Sequence, residues 1–158
     1  MKSGYLVLAV FVIFSMTSYA QTVTIGGRFG FSNLSAGGGS SSGLQIGAMG
    51  DYAYKHNILF GSDLNINTQN STPFEWAVFG KYLIDMPSTN VQPYVDGGFN
   101  LWAFSGGPYF GLRFGGGVYF PVNSQISIPA DLQFGPVFTS GSSTFYFALT
   151  SGIRYTLP

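Results

Sequence analysis

From Val23 to Leu157 the chain alternates bulky apolar residues with glycine, small polar or charged ones. A repeat of two puts successive side chains on opposite faces of a β-strand, whereas a helix needs a repeat of 3.6. The run Phe110, Leu112, Phe114 against Gly111, Arg113, Gly115 shows the pattern, as does Phe60, Leu64, Ile66 against Gly61, Asp63, Asn65. Eight strands are predicted, over about 23–31, 43–54, 58–68, 74–85, 92–104, 109–120, 125–138 and 144–157, with turn residues between them. Pro129 and Pro136 fall inside the seventh. Proline has no N–H for a ladder, so a bulge or a shortened strand is expected there.

An even number of strands joined in sequence suits an antiparallel up-and-down barrel. Eight tilted strands enclose a space just wide enough to be filled by side chains. The bulky apolar phase is too large for that space, and the small, polar phase fits it. The charges assign the faces independently. The chain has six Lys and Arg and six Asp and Glu; Lys2 precedes the alternating region, and Lys55 lies in a Lys55-His56-Asn57 turn. The remaining ten (twelve less two) all occupy the small, polar phase: Arg28, Asp51, Asp63, Glu75, Lys81, Asp85, Asp96, Arg113, Asp131 and Arg154. A Lys or Arg on the other phase would cost about 2–4 kcal/mol at a bilayer midplane. The fold class expected is therefore all-β, an eight-stranded antiparallel transmembrane barrel with a charge network in its lumen and its apolar phase toward lipid.

Aromatic residues of the apolar phase gather toward strand ends. Tyr52, Tyr54, Tyr82, Phe120 and Tyr155 are expected at one rim, and Phe29, Phe31, Phe74, Trp76, Phe138, Phe145 and Phe147 at the other. Two such girdles mark the two membrane–water interfaces of a barrel. Charged residues make up only 8% of the chain, against about 25% in soluble domains. The net charge of zero argues against nucleic acid as a partner. Without cysteine there is no disulfide framework and no thiolate metal site.

The first twenty residues read as an address. Lys2 is followed by the apolar run from Tyr5 to Phe14, and Ser18-Tyr19-Ala20 offers small residues for cleavage. The run is too short to span hydrocarbon as a helix, which takes about 20 residues, so residues 1–20 are expected to be a cleaved signal peptide. Residues 21–158 then form one barrel domain. Insertion from the periplasm leaves both termini there, with connections 33–42, 69–73, 105–108 and 139–143 outside the cell and 55–57, 86–91 and 121–124 in the periplasm. The Gly/Ser-rich segment 33–42 is expected to be a flexible loop.

Three segments then carry a family likeness: Pro93-Tyr94-Val95-Asp96-Gly97-Gly98-Phe99, Gly115-Gly116-Gly117-Val118-Tyr119-Phe120-Pro121 and Gly152-Ile153-Arg154-Tyr155. With them the chain resembles the small eight-stranded outer-membrane β-barrels, the group that includes OmpX and the membrane domain of OmpA. Its last strand is similar to that family's assembly signal at Thr150, Gly152, Tyr155 and Leu157, although the chain ends Leu157-Pro158 where the family ends on an aromatic. The resemblance implies residence in a Gram-negative outer membrane, contact with its lipid and lipopolysaccharide, the outer-membrane assembly machinery as a partner during biogenesis, and a monomeric state.

Chemistry is sparse. His56 is the one histidine and lies in a turn, without the partners that acid–base catalysis or metal binding needs. Gly26-Gly27-Arg28-Phe29-Gly30 sits in a strand with no helix after it, so it is no phosphate loop. No cofactor or metal is expected. Four functions remain distinct: a non-catalytic structural or surface-interaction barrel with a closed lumen, a small porin-like channel, a lipid-A-modifying enzyme and a soluble ligand-binding barrel. The first is favoured, because eight strands leave little room for an aqueous path and the lumen charges can pair. N-terminal sequencing of the protein recovered from membranes is expected to begin at Gln21; a chain starting at Met1 overturns the cleavage assignment.

Overall fold

The computed structural model describes residues 22–69, 73–104, 107–139 and 142–158. The expected signal segment lies outside these residues, as do parts of three expected connections (70–72, 105–106 and 140–141). Eight antiparallel strands form one closed barrel: β1 (Val23–Ala36), β2 (Gly39–Lys55), β3 (Ile58–Asn67), β4 (Phe74–Leu83), β5 (Gln92–Phe104), β6 (Gly107–Pro121), β7 (Ile126–Thr139) and β8 (Ser142–Thr156). Each strand pairs with its neighbours in sequence, and β8 closes on β1 from Thr24↔Thr156 to Ser35↔Phe145. Closure leaves no free sheet edge along the paired region, which is the requirement for a sheet in hydrocarbon. Both ends of the described chain lie at one rim, where Leu157 N–H donates to Val23 O (2.9 Å) and Ala53 N–H to Thr22 O (3.0 Å). We call this the terminal rim, and the opposite one the hairpin rim.

The two phases separate as a pleated wall dictates. Phe29 is 65% exposed, and Leu44 and Ile153 are each 61% exposed. Arg113, Gln133, Glu75 and Asn65 are all inaccessible to solvent. The outer wall is thus a continuous apolar surface, far larger than water-soluble monomers expose.

Three expectations about the strands change. Residues 33–42 are not a flexible loop but ladder, with Asn33↔Ser42, Leu34↔Ser41, Ser35↔Ser40 and Ala36↔Gly39 paired. Asn33 Nδ2 also donates to Ser42 Oγ at 2.7 Å. The chain reverses in two residues, Gly37 (φ 54°) and Gly38 (φ 92°); glycine accepts left-handed φ at both positions, and such a turn matches the twist of the strands it joins. This lengthening places Phe29 midway along β1 (Val23–Ala36), away from the rim where its sequence position had suggested a girdle. In β7 the register holds through both prolines, with Ser127↔Arg154 and Ala130↔Ser151 on either side of Pro129. The prolines remove rungs without adding a residue, and Ser151 Oγ supplies a replacement bond to Pro129 O (2.8 Å). The register shift that does occur lies between β2 and β3, around Tyr54, between Ala53 and Lys55.

Inward glycines permit the tight curvature. A Cβ at Gly135 would overlap the Leu112 carbonyl oxygen, and one at Gly61 would overlap the Phe79 ring. At outward Gly80 a Cβ meets nothing within 4 Å. Gly135→Ala is therefore expected to lower stability by about 1–3 kcal/mol, and Gly80→Ala to leave it within about 0.5 kcal/mol. Urea titration of refolded protein, read by heat-modifiable migration, checks the pair; equal effects would refute this packing account.

Candidate functional site

The lumen gathers the chemistry of the chain, because every strand sends at least one ionised side chain into it. Arg28 comes from β1, Asp51 from β2, Asp63 from β3, Glu75 and Lys81 from β4, Asp96 from β5, Arg113 from β6, Asp131 from β7 and Arg154 from β8. Period two sets the direction of each, and closure of the ring sets their distances.

Asp63 lies at the centre. It accepts from Arg28 Nη1, and from Arg113 Nη1 at 2.6 Å. Arg28 Nη2 reaches across to Asp131 Oδ2 at 2.6 Å, and Tyr94 donates its hydroxyl to the other oxygen of Asp131. Arg113 Nε lies 3.4 Å from Asp96 Oδ1. With its oxygen turned toward the guanidinium groups, Gln133 accepts from Arg113 Nη2 (2.7 Å) and Arg28 Nη1 (3.0 Å). Nearer the terminal rim, Asp51 joins Lys81 (3.0 Å) and Arg154 (2.7 Å), and Lys81 Nζ also donates to Tyr119 Oη at 2.7 Å. The pairs β1–β3, β1–β7, β3–β6, β2–β4 and β2–β8 are not neighbours in the ladder. These bonds tie strands two or three places apart around the ring.

Glu75 differs. It accepts from Gln45 Nε2 (3.1 Å), Asn65 Nδ2 (3.0 Å) and Asn100 Nδ2 (2.9 Å), with no ion pair of its own among the described residues. Amide dipoles solvate this carboxylate in place of a cation.

Aromatic and aliphatic side chains close the network from both ends. Toward the terminal rim, Leu59, Leu83, Tyr94 and Tyr119 pack together, with the Tyr94 and Tyr119 rings stacked at 4.5 Å. Toward the hairpin rim, Trp102, Val137, Tyr146 and Ala148 form a second cluster, against which Leu34 and Tyr109 pack. Phe79 lies between, under the Arg113 guanidinium at 3.9 Å, and Arg154 lies over the Tyr119 ring at 3.7 Å. Such contacts favour a desolvated cation. The sequence reading missed these apolar plugs, although parity marks them: Phe79 falls between Ala77 and Lys81, Tyr94 two before Asp96, Trp102 two after Asn100 and Tyr119 two after Gly117.

Nine of the ten charged residues expected in the lumen are buried there, and Asp85 is not. It lies two residues beyond the end of β4, on the terminal rim, where it faces His56 (3.7 Å) and accepts from Asn57 Nδ2 (3.0 Å). The last rung is Leu83↔Tyr94, followed by an Ile84 N–H bond to Pro93 O (2.8 Å); Asp85 lies beyond both, and its carboxylate is open to water. Of the aromatic set, Phe31, Tyr54, Phe74, Trp76, Tyr82, Phe120, Phe138, Phe145, Phe147 and Tyr155 are exposed on the outer wall and Tyr52 is half-buried. Trp76 Nε1 donates to Ser62 Oγ at 3.0 Å, so that hydroxyl meets lipid already paired. Of the segment resembling an assembly signal, Thr150 and Gly152 point inward, and Tyr155 and Leu157 are exposed.

No family model matches the chain, and no curated protein matches it in sequence. Solved structures do match. Neisserial surface protein A superposes with a TM-score of 0.73 at 16% identity, covering 88% of this chain and 98% of that one. The N-terminal β-barrel domain of Pseudomonas aeruginosa OprF gives 0.66 at 12%, covering 86% and 97%. Ail, the attachment invasion locus protein of Yersinia pestis, solved in complex with the heparin analogue sucrose octasulfate, gives 0.54 at 12%, covering 85% and 97%. This chain has the fold of the small eight-stranded outer-membrane barrels. At these identities the likeness is one of architecture.

Asp63→Asn leaves two buried guanidinium groups without their shared anion and is expected to cost about 3–5 kcal/mol. Glu75→Gln is expected to cost less than about 1 kcal/mol, because the Asn100 amide can turn its unpartnered oxygen to accept from the new NH2. Urea unfolding of both variants in lipid vesicles checks the ranking; a Glu75→Gln as damaging as Asp63→Asn contradicts it.

Proposed function

We propose that the protein is an integral outer-membrane barrel with a sealed lumen, exported through a cleaved signal peptide. It serves the envelope as a structural or surface-interaction element without catalysis. One observation carries this reading: a belt of exposed apolar side chains surrounds an interior whose ionised groups bond to one another across the barrel. A water-soluble barrel needs the inverse distribution. A pore needs an unobstructed polar path, and here the two apolar clusters and the Arg28–Asp63–Arg113 bonds lie across the axis.

A non-catalytic role is supported by how the titratable groups are placed. The lumen carboxylates face guanidinium, ammonium or amide groups, and His56 lies on the rim beside Asp85. The girdle aromatics, and Thr150, Gly152, Tyr155 and Leu157 as an assembly signal, belong to the same proposal, with the outer-membrane assembly machinery acting on the last strand. Lipid and lipopolysaccharide are its surroundings, and it works as a monomer.

Purified protein in planar bilayers is expected to give no steady conductance, and to migrate differently in detergent gels with and without boiling. Steady, salt-dependent openings would overturn the sealed lumen. Solubility without detergent would overturn the membrane assignment.

A further inference from the structure

The two mouths of the barrel differ in chemistry. At the terminal rim a recess of about 330 Å³ is lined in part by Arg154 and His56, above Leu59, Leu83 and Tyr119. At the hairpin rim a recess of about 440 Å³ is lined by Leu34, Ala36, Ser41, Tyr109, Thr139 and Thr144, among others. That volume falls within the range of small-ligand sites, about 300–1,000 Å³. Its floor is the cap that closes the lumen, since Leu34 and Tyr109 pack against Trp102, Val137, Tyr146 and Ala148.

This second vestibule is uncharged. In sequence, residues 29–50, 64–74, 97–112 and 132–153 contain no Asp, Glu, Lys, Arg or His; Glu75, which pairs with Trp102 in this half, is fully buried and bonded to Gln45, Asn65 and Asn100. A polyanion finds no cation there, and a cationic ligand no carboxylate. What the mouth offers is an aromatic ring, a leucine and a set of hydroxyls. Sugar rings match that combination, with C–H faces for the aromatic floor and hydroxyls for the walls. A purely apolar ligand would desolvate the Ser41 and Thr144 hydroxyls without offering them a hydrogen-bond partner.

We propose that the vestibule at the hairpin rim binds the end of a soluble neutral oligosaccharide. The site lies within the ring of strands, so its occupant arrives from solution and not from the surrounding leaflet. Each sugar contact is small and open to water, so affinity falls in the millimolar range. With no formal charge at the site, affinity does not respond to salt.

Saturation-transfer NMR on the full barrel in a sugar-free detergent tests this, with maltotriose, cellotriose and chitotriose as neutral probes and sucrose octasulfate as the charged one. At least one neutral trisaccharide is expected to receive saturation, equally at low and high salt. Tyr109→Ala is expected to weaken it roughly tenfold, the upper range for one aromatic contact. Because Tyr109 also packs on the cap, Thr144→Val supplies a second variant that removes a wall hydroxyl and keeps its shape, and it too is expected to weaken binding. Heat-modifiable migration of each sample shows that the barrel is folded. A folded protein silent to all three neutral probes overturns the proposal and leaves the sealed barrel standing. Binding that survives both substitutions, or a salt-sensitive preference for sucrose octasulfate, overturns it as well.

Discussion

Charge pairing across the lumen is the interaction on which the rest of this structure depends. A closed eight-stranded ring is so narrow that side chains from strands two or three places apart meet in its lumen. The ladder bonds each strand only to its two neighbours. The Arg28–Asp63, Arg28–Asp131 and Arg113–Asp63 contacts join strands that the ladder does not. Burying ions is costly unless geometry and hydrogen bonding compensate. The compensation here is layered: carboxylates bridge two cations, Gln133 braces two guanidinium groups, and Phe79 and Tyr119 lie against cations as π-faces. Glu75 is the exception and is held by three amides.

The same narrowness explains the glycines and the apolar caps. Inward glycines such as Gly61 and Gly135 leave the room that Phe79 and the adjoining strand take. The clusters around Tyr94–Tyr119 and Trp102–Tyr146 then keep water from the ion pairs, which strengthens each pair by lowering the local dielectric. The described residues leave a shallow vestibule at each end of the barrel.

Much of this was legible in the alternation. Parity separated Arg113 from Phe114 and Asp131 from Leu132, and the number of strands followed from the turn residues between alternating runs. Parity also marked the caps at Tyr94, Trp102 and Tyr119, and Phe79 between them, as inward residues. The errors fell where a local rule met a neighbour. Composition made 33–42 look loose, yet Gly37-Gly38 needs only two residues to turn, and β8 supports the hairpin beside it. Proline weakened β7 on paper, while Ser151 and the intact register repaired it. Asp85 shared the inward phase in the sequence, but it lies past the end of the paired wall, where water reaches it.

Sequence by itself determined which face each strand residue takes, because period two is a property of the extended backbone and needs no partner. It also determined that the apolar phase could not be the inner one, because volume and charge are additive along the chain. Only the closed ring decided who meets whom: that Asp63 takes two arginines, that Glu75 takes none, that Asp85 escapes, and that one mouth is charged and the other neutral. Those outcomes depend on the stagger of eight strands around a circle, a relation between distant segments that no local pattern encodes.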